Sequence, residues 1–576
     1  MNGQWNPRKW EDDGTFHLGI NMAGAVSAGA YTAGVLDFLT EALEQWYAAK
    51  ATANPAVPMH DISIDVFSGA SAGGMCAAIA SVMLQGEFEH IRNPADPSVV
   101  NTNNRFYESW VNKIDIEWLL QQRDLADGAP VISLLDSTII DQIADYALTP
   151  DPATQRPYVS DSLTLFLTLT NVRGTPYSLN GDAAGSAEED TAYYGDKLQF
   201  ETVPGLGAPP LAPSAKPLPL STNNEGMNAG AWPLLKDAAK ATGAFPLFLA
   251  PRTIDRSAKD YYYSPWEPVS DTSPARVRPH WPLKESDIFT TLNVDGGVTD
   301  NDPFQLAHDY LAIHNPNATV NKKTGELANP PDPDKANCAV LTVAPFPADF
   351  LFDPKYDFAK NSSVFGMLPN LFTALISQSR FLGESLAAVM SGSSYSRFVL
   401  APSDSGLPDK EALQCGLLSA FGGFFERGFR AHDYQLGQRN CQKLLRDHFR
   451  LAIANPIIDA GLNKLDAATR ASVMADFAST DAKGLTTLPI IPLCGTALPE
   501  VPKPVRATIS TARVNQVLDW AVNRLHAVTT PLLESLLGTG FKDLVARETV
   551  DALISNVGKA KLKILLEKEL KEVISD

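Results

Sequence analysis

The chain has 576 residues, 44% of them hydrophobic and 20% charged, and a formal net charge of −19. This length and composition predict a globular protein with a large core rather than a disordered chain, and the acidic balance argues against nucleic acid and against an electrostatic grip on anionic lipid, both of which need a basic surface. The five cysteines are scattered and lack C-x-x-C spacing, so neither a disulfide framework nor a metal cluster is indicated, and no cofactor is expected.

The start of the chain contains no apolar segment of the kind that a signal peptide needs. No uncharged apolar run reaches the roughly 18 residues expected of a membrane span. We therefore expect a cytoplasmic protein without a transmembrane segment, in which any contact with a membrane surface is transient and made mainly by apolar residues.

The first predicted unit is a strand, a small-residue loop and a helix. Residues 15–21 are typical of a strand, and apolar side chains at helical spacing predict a helix from Ala30 to about Tyr47. The loop Gly24–Gly29 lies at the start of this helix, where backbone N–H groups point outward without partners. Such a loop can hold a phosphate or a developing oxyanion, or it can simply let the strand and the helix pack closely.

The second unit has the same order. Residues 62–67 predict a buried strand and residues 77–84 a buried helix, and the sequence GASAG at 69–73 lies between them. This matches the G-x-S-x-G nucleophile elbow, in which two glycines allow a turn sharp enough to expose the serine hydroxyl. Ser71 is therefore the candidate nucleophile, with a Gly/Ser-rich turn without chemistry as the alternative.

The middle of the chain combines helices, a strand and a long insertion. Residues 101–148 are predicted to be mainly helical, and residues 163–170 to form a central strand. From 180 to 230 the composition shifts to Gly, Pro, Ser and Asp, and we expect no regular element in residues 203–220. Long loops are usually functional flaps or mobile insertions, and both interpretations remain open here.

The next predicted strand ends in an aspartate. Residues 234–249 predict a helix that is ended by Gly243 and Pro246. A strand is expected over residues 289–294, and it leads into Asp295, Gly296 and Gly297. A carboxylate at a strand end that is followed by two glycines lies on a turn where it can face a crevice. Read alone, an Asp-Gly pair is most often only a turn.

The remaining third is predicted to be mainly helical. Residues 339–343 form another expected strand, and residues 365–390 have a helical pattern. The aromatic stretch 417–425 is either core or a wedge at a lipid surface. From Val514 an amphipathic helix is expected, with a break at Pro531.

Four stretches in this order resemble the patatin-like phospholipase family. They are GAVSAGAYTAGVL at Gly24–Leu36, GASAG at Gly69–Gly73, ATGAFP at Ala241–Pro246, and DGG at Asp295–Gly297 with Asn301 and Pro303 downstream. Residues 429–437 also resemble bacterial members, so the resemblance covers roughly residues 14–450. It implies a three-layer α/β/α fold with a mainly parallel central sheet in a hydrolase domain over 14–450, to which residues 451–576 add a mainly helical C-terminal extension.

The resemblance also implies a function. The family hydrolyses acyl esters of lipids with a Ser-Asp dyad, so Ser71 would be the nucleophile, Asp295 its base, and a lipid or phospholipid the substrate. The implied oxyanion donors are Gly24, Ala25 and Val26. The glycines that would support the motifs are Gly69, Gly73, Gly296 and Gly297.

The first loop departs from the family pattern of three glycines, a variable residue, arginine and glycine. Ala25 and Val26 replace two of the glycines, and Ala28 stands at the arginine position. Backbone donors need no side chain, so Ala25 and Val26 can still serve if their φ angles stay negative. Since one oxyanion donor is worth roughly 3 to 4 kcal/mol, the changes leave slow turnover or a changed substrate open.

These residues leave three hypotheses open: a dyad, a triad and a protein with weak or no catalysis. A dyad requires Asp295 to be desolvated and within hydrogen-bond reach of Ser71, because a free aspartate is a weak base for a hydroxyl group. A triad would instead add His308 or His432, in the Ser, Asp, His order of α/β-hydrolases. The replacement at Ala28 and the helical C-terminal region favour a third hypothesis, a lipid-binding or scaffold protein with weak or no catalysis.

Overall fold

The structure, a computed structural model, describes residues 8–11, 13–125, 130–150, 154, 156–178, 190–220, 229–262, 279–320, 327–346, 358, 395–404, 407, 409–480, 484–537, 555 and 558–575. Its strands are β1 Thr15–Met22, β2 Asp61–Gly69, β3 Val159–Ser178, β4 Asp190–Val203, β5 Lys216–Pro219, β6 Arg252–Ser257, β7 Ile288–Asp295, β8 Thr319–Val320, β9 Leu327–Ala328, β10 Cys338–Val343, β11 Arg397–Leu400, β12 Arg450–Ala452, β13 Ser479–Thr480, β14 Thr486–Pro489, β15 Ile509–Ser510 and β16 Ile574–Ser575. Its longer helices are α1 Gly29–Lys50, α2 Ser71–Met83, α3 Thr138–Ala147, α4 Trp232–Thr242, α5 Phe304–His314, α6 Arg427–Asp447, α7 Pro456–Asn463, α8 Ala467–Phe477, α9 Thr511–Leu537 and α10 Lys559–Glu569. Shorter helical segments are Val26–Ala28, Arg105–Tyr107, Glu108–Lys113, Ile116–Leu119, Ala258–Tyr262, Gly296–Val298, Asp409–Ala412, Leu417–Ala420, Gly422–Phe425 and Gly495–Ala497.

A nine-stranded sheet forms the centre of the molecule. Seven of its strands follow the order β11-β10-β1-β2-β3-β4-β5, and β6 and β7 lie off this path. Strands β11, β10, β1, β2 and β3 run parallel to one another, whereas β4 and β7 are antiparallel to β3, and β6 pairs with β7. The predicted α/β fold with a mainly parallel sheet is confirmed. Because β1 and β2 are parallel neighbours, the loops that follow them meet at the same edge of the sheet.

Both faces of the sheet are covered, which gives the three layers. Leu18 and Ile20 of β1 face the large core that α1 and α2 complete, whereas Val66 of β2 and Val340 of β10 face the opposite side and pack with Leu311 of α5. Strands that are buried on both faces are apolar almost throughout rather than alternating. Strand β10 fits this pattern, whereas β1 and β2 place a polar or small residue between most of their apolar side chains.

Most of the predicted elements are confirmed with shifted ends, but three expectations need correction. The stretch 203–220 does contain a regular element, since Lys216–Pro219 forms β5 against the edge of β4. Residues 101–148, which were expected to be mainly helical, are helical only over short segments and α3. Helix α9 continues through Pro531 instead of breaking there. The helix predicted at 365–390 lies outside the described residues, as do parts of the insertion at 180–230.

The C-terminal region from residue 451 is mainly helical, as expected, with α7, α8, α9 and α10. Helix α6 packs so closely on α1 that an added Cβ at Gly34 would lie 1.9 Å from the carbonyl oxygen of Tyr434, and one at Gly437 would lie 2.2 Å from that of Tyr31. Beyond residue 450, Ile490 joins the same core as the sheet. The division of the chain at residue 450 stays a prediction. No helix in the described part of the chain combines the length and the apolar character needed to cross a membrane.

Candidate active site

Ser71 lies at the sharp turn between β2 and α2. Ala70 is extended, with φ −124° and ψ 145°, and the helix begins at Ser71 itself. The φ angle of Ser71 is +52°, in the left-handed region that residues with a side chain seldom occupy. Such strain costs about 1–3 kcal/mol and is typical of functional sites. The backbone of this turn is therefore that of a nucleophile elbow.

The two glycines of the motif are required by close backbone contacts. A Cβ at Gly69 would lie 2.8 Å from the carbonyl oxygen of Gly73, and a Cβ at Gly73 would lie 2.1 Å from that of Met22. The amide of Ser71 donates a hydrogen bond to Thr242 Oγ1 at 2.9 Å, which ties the turn to the end of α4. Thr242 lies in the stretch that resembles the family, but the motif itself indicates no role for it.

Asp295 meets Ser71 at this edge of the sheet. Ser71 Oγ donates a hydrogen bond to Asp295 Oδ2 at 2.6 Å, and both side chains are buried. The other carboxylate oxygen, Oδ1, accepts the amide of Gly297 at 2.7 Å. A Cβ at Gly296 would lie 2.1 Å from the carbonyl oxygen of Thr168, so only glycine fits after the aspartate. The expected contact between the two distant residues is present.

The surroundings of Asp295 shift its protonation. Burial raises its pKa to about 7, although the hydrogen bonds from Ser71 and from the Gly297 amide act in the opposite direction. A carboxylate that is poised near neutral pH is a much better proton acceptor than an ordinary aspartate. The geometry and the pKa together make proton transfer from Ser71 to Asp295 chemically feasible.

Gly24 contacts the segment after Asp295 instead of pointing a free amide at Ser71. Its N–H donates to the carbonyl oxygen of Asn301 at 3.0 Å. A Cβ at Gly24 would lie 2.1 Å from Asn301 Oδ1 and 3.0 Å from Ser71 Cβ. The expectation that Gly24 donates to an oxyanion does not match this geometry. Within the described residues, the amides of Ala25 and Val26 donate no backbone hydrogen bond outside the regular helices and strands.

Val26 does not meet the condition set for it. Its φ is +48°, whereas the sequence argument required a negative angle. A β-branched residue is strained in this region, and a glycine, as the family pattern has here, would not be. The Val26 side chain lines the cavity beside Ser71. The amide is therefore held in a conformation that the sequence did not predict.

Ser27 joins the first loop to the stretch 417–425. Its Oγ donates to the carbonyl oxygen of Ala420 at 2.6 Å and accepts the amide of Gly423 at 3.0 Å. Ser27 occupies the variable position of the loop pattern, so the sequence offered no signal for this role. Ala28, at the arginine position, is fully buried.

A cavity of about 900 Å³, counting the space that opens to solvent, adjoins Ser71 and Asp295. Its other lining residues are mostly apolar: Val26, Ala72, Met75, Ile79, Ser109, Trp110, Ile114, Leu119, Leu135, Ile140, Ile143, Ala144, Ala147, Leu148, Ala239, Lys240, Gly243, Phe245, Phe248, Leu249, Phe421 and Phe424. Phe421 and Phe424 belong to the stretch that was expected to be core or wedge, and they form part of the cavity wall. The apolar lining suits an apolar chain.

The two histidines of the triad alternative bind other carboxylates. Nδ1 of His308 lies 3.2 Å from Asp309 Oδ1, and Nδ1 of His432 lies 2.7 Å from Asp433 Oδ1. Within the described residues, neither histidine has a recorded hydrogen bond to Asp295. The geometry therefore favours a dyad over a triad.

The comparison with family models agrees with the resemblance. A family model described as patatin-like phospholipase matches residues 21–308. The chain is 33% identical to the uncharacterized protein y4iI of Sinorhizobium fredii (strain NBRC 101917 / NGR234), over 93% of this chain and 80% of that protein. The crystal structure of VipD from Legionella pneumophila matches with 11% identity and a TM-score of 0.17, over 97% of this chain and 91% of that one.

Proposed function

Because the chain belongs to the patatin-like phospholipase family, we propose that it is a serine hydrolase of lipid acyl esters, of the phospholipase A or lysophospholipase type. The observation that carries this proposal is the 2.6 Å hydrogen bond from Ser71 Oγ to Asp295 Oδ2 beside an apolar cavity. Family membership supports acyl ester hydrolysis of lipids in general. The assignment of Ser71 as nucleophile and Asp295 as base is our own.

In the acylation step, Ser71 Oγ attacks the ester carbonyl carbon and forms the new C–O bond. Asp295 Oδ2 takes the serine proton, and the carbonyl oxygen becomes an oxyanion. The tetrahedral intermediate then expels the leaving alkoxide, which receives the proton from Asp295 as the ester bond breaks. The products are an acyl-Ser71 ester and a free alcohol, such as a lysophospholipid.

Deacylation repeats these roles with water. A water molecule attacks the acyl carbon and gives its proton to Asp295, and collapse of the intermediate returns that proton to Ser71 Oγ. The fatty acid leaves, and the dyad is restored. Asp295 acts as base and then as acid in each half, which a pKa of about 7 allows at neutral pH.

The amides of Ala25 and Val26 are the oxyanion donors in this proposal. They lie in the loop that precedes α1, next to Ser71, and a preorganised backbone donor is worth roughly 3 to 4 kcal/mol. Val26 is included although its φ is positive, because +48° is an angle that glycine, the residue of the family pattern at this position, adopts without strain. Gly24 has a different role, because its amide is engaged by Asn301. We assign it to holding the loop in place.

One observation favours the second candidate function, a lipid-binding protein with weak catalysis. The first loop carries a strained valine at Val26 and a buried alanine at Ala28, where the family pattern has glycine and arginine. Either change weakens the stabilisation of an oxyanion. In this case the cavity would still bind an acyl chain, but turnover would be slow.

A fluorophosphonate probe distinguishes the two functions, since it forms a covalent bond only with an activated serine. We expect the full-length protein to be labelled and Ser71→Ala to remain unlabelled. Ser109→Ala is the matched control, because Ser109 lines the same cavity and should leave labelling intact. Asp295→Asn should label at least about 100 times more slowly, since general-base catalysis contributes this much.

The same proteins are then assayed with a panel of phospholipids and lysophospholipids. Hydrolysis by the wild type, lost in Ser71→Ala, supports the hydrolase. An unlabelled wild type that binds lipid vesicles without releasing fatty acid supports the second candidate instead.

A further inference from the structure

Four large apolar side chains lie in solvent on three segments that line the cavity and on α9, which is bonded to them. They are Trp118, Ile132, Leu247 and Leu525, and each is between 41% and 67% exposed. We call these four residues the rim patch. Exposed apolar side chains are ordinary when they are scattered singly, but a group of them marks an interaction surface.

Hydrogen bonds join the four segments that carry the rim patch. The amide of Leu134 donates to the carbonyl oxygen of Leu247 at 2.8 Å. Arg524 of α9 donates to the carbonyl oxygens of Leu134 at 3.0 Å and of Gln121 at 2.8 Å. The exposed residues therefore lie on segments that are bonded directly to one another rather than on separate loops.

The inner face of three of these four segments lines the cavity. Leu119 follows Trp118, Leu135 lies in the segment of Ile132, and Phe248 follows Leu247. These segments thus have apolar side chains on both faces, one toward the cavity and one toward solvent. A segment of a water-soluble surface would normally be polar on its outer face.

Leu247 has an unfavourable backbone conformation and an unfavourable exposure of its side chain. Its φ is +69°, a left-handed conformation that glycine or asparagine adopts more readily. Its side chain is 67% exposed, so burial does not offset that strain. Strained residues that persist in a fold are typical of functional sites. A leucine held outward between two cavity-lining phenylalanines, Phe245 and Phe248, is consistent with contact to an apolar surface.

The charges at the rim patch indicate what kind of surface it meets. Arg123, whose guanidinium lies over the Trp118 ring, is paired with Asp136 at 3.1 Å. Arg524 is paired with Asp124 at 2.5 Å. These cations are neutralised by their own neighbours, and the chain as a whole carries a net charge of −19. An anionic lipid surface is therefore disfavoured, and a zwitterionic one is not.

We propose that the rim patch docks the protein on a zwitterionic lipid surface, so that an acyl chain passes from the lipid into the cavity without crossing water. This inference rests on the proposed function, because the lipid surface is the source of the acyl chain. Apolar side chains that enter the headgroup region contribute binding free energy in proportion to the area they bury.

Vesicle binding tests the docking separately from catalysis. The full-length Ser71→Ala protein, which cannot turn over, is sedimented with phosphatidylcholine vesicles. Adding Ile132→Asp and Leu247→Asp should lower the partition onto vesicles at least about tenfold. The matched control is Leu498→Asp with Val505→Asp, which are 64% and 86% exposed in the segment next to α1 and α6 and should leave binding unchanged.

Activity assays then separate the two proposals. With Ser71 intact, the rim variant should keep its kcat/KM for monomeric p-nitrophenyl butyrate and lose about tenfold on phosphatidylcholine vesicles. The docking is overturned if the rim variant binds vesicles as well as its parent does, or if binding requires phosphatidylglycerol. It is also overturned if the rim substitutions change the molar mass of the protein in solution but not its binding to vesicles. A wild type that hydrolyses no ester but still binds vesicles through the patch overturns the proposed function alone.

Discussion

Gly24 and Asn301 join the loop after β1 to the loop that carries Asp295. The amide of Gly24 donates to the Asn301 carbonyl oxygen at 3.0 Å, and the Asn301 side chain fills the place that a Cβ at Gly24 would need. Both loops come from separate strands of the sheet. The position of the first loop relative to Ser71 therefore depends on a glycine packed against an asparagine.

We expect Gly24→Ala to lower kcat/KM at least about 100-fold. The added methyl group would lie 2.1 Å from Asn301 Oδ1, so the first loop must move away from the dyad. A displacement of about 1 Å at a catalytic site costs this much. The measurement is steady-state hydrolysis of p-nitrophenyl butyrate, with circular dichroism to verify that the variant is folded.

Asn301→Ala in the same chain is the control for this prediction. Removing the side-chain oxygen makes room for the new methyl group, so the double variant should be more active than Gly24→Ala alone. Contacting residues give such non-additive effects, whereas independent sites add. If the two losses simply add, the contact between Gly24 and Asn301 is not the cause of the defect.

The activity should rise with pH. Since burial raises the pKa of Asp295 to about 7, the carboxylate that accepts the serine proton becomes abundant only above that value. The kcat/KM of the free enzyme is expected to increase from pH 5 to pH 8 with a midpoint near 7. A profile that is flat down to pH 5 would contradict Asp295 as a buried base.

The same pKa makes the fold less stable as pH rises. Between about 4, the unfolded pKa, and about 7, the folded protein binds more protons at Asp295 than the unfolded chain, so the free energy of unfolding falls across this range. Asp295→Asn removes the cost. We expect this variant to be inactive and to melt at a higher temperature than the wild type at pH 8, with the gain shrinking toward pH 4.

Asp300 provides the comparison for that experiment. Burial and the neighbouring Asp302 raise its pKa to about 7 as well. Asp300→Asn should therefore give a similar pH-dependent gain in melting temperature while keeping the pH profile of activity. An Asp295→Asn protein that is no more stable at pH 8 than the wild type would count against desolvation as the cause of the shift.

Local pattern was enough to predict the two strand–loop–helix units and the elbow at Ser71. These depend on neighbours in sequence, namely β-branched runs, small-residue loops and helical spacing. The meeting of Ser71 with Asp295 is a long-range contact, and only the family resemblance predicted it. Hydrophobic periodicity alone could not, because it does not specify which strands are neighbours.

Other features depended on tertiary contacts that carry no local signal. Lys216–Pro219 forms β5 although two of its residues are prolines, because an edge strand tolerates a residue without an N–H. The left-handed φ of Val26 contradicts the preference of valine. Gly24 matched the family pattern, yet its amide is taken by a residue far along the chain. Each of these is a case in which packing overrides local preference.

Val26→Gly should stabilise the protein by about 1 kcal/mol. Relief of a left-handed β-branched residue gains about 1–3 kcal/mol, and the extra freedom of glycine in the unfolded chain costs about 0.5–1 kcal/mol. The backbone amide is retained, so esterase activity should not fall. Urea unfolding measures the change.

Val26→Ala is the companion variant, since it removes the branched side chain but keeps a Cβ at the same φ. We expect it to be less stable than Val26→Gly. If Val26→Gly instead lowers the free energy of unfolding, as glycine does where it relieves no strain, the φ angle of Val26 is not left-handed in solution.

Ser27 holds the first loop to a strained stretch of the cavity wall. Its hydroxyl group bonds Ala420 and Gly423, and the residues Leu418, Ser419 and Ala420 all have positive φ angles. The hydrogen bond from Gly423 is buried and the one to Ala420 is partly buried, and removing the hydroxyl group would take this partner from both backbone groups. Phe421, which lines the cavity, follows directly on this stretch.

We therefore expect Ser27→Ala to lower the free energy of unfolding by about 1–3 kcal/mol, the cost of orphaned buried groups. It should also lower kcat more than it raises KM, because the amides of the first loop lose their anchor while the cavity keeps its lining. Ser81→Ala is the control, since within the described part of the chain the buried Ser81 hydroxyl bonds only Ala78 of its own helix. Urea unfolding and steady-state kinetics measure both effects. Equal losses in the two variants would mean that the link to Ala420 has no special role.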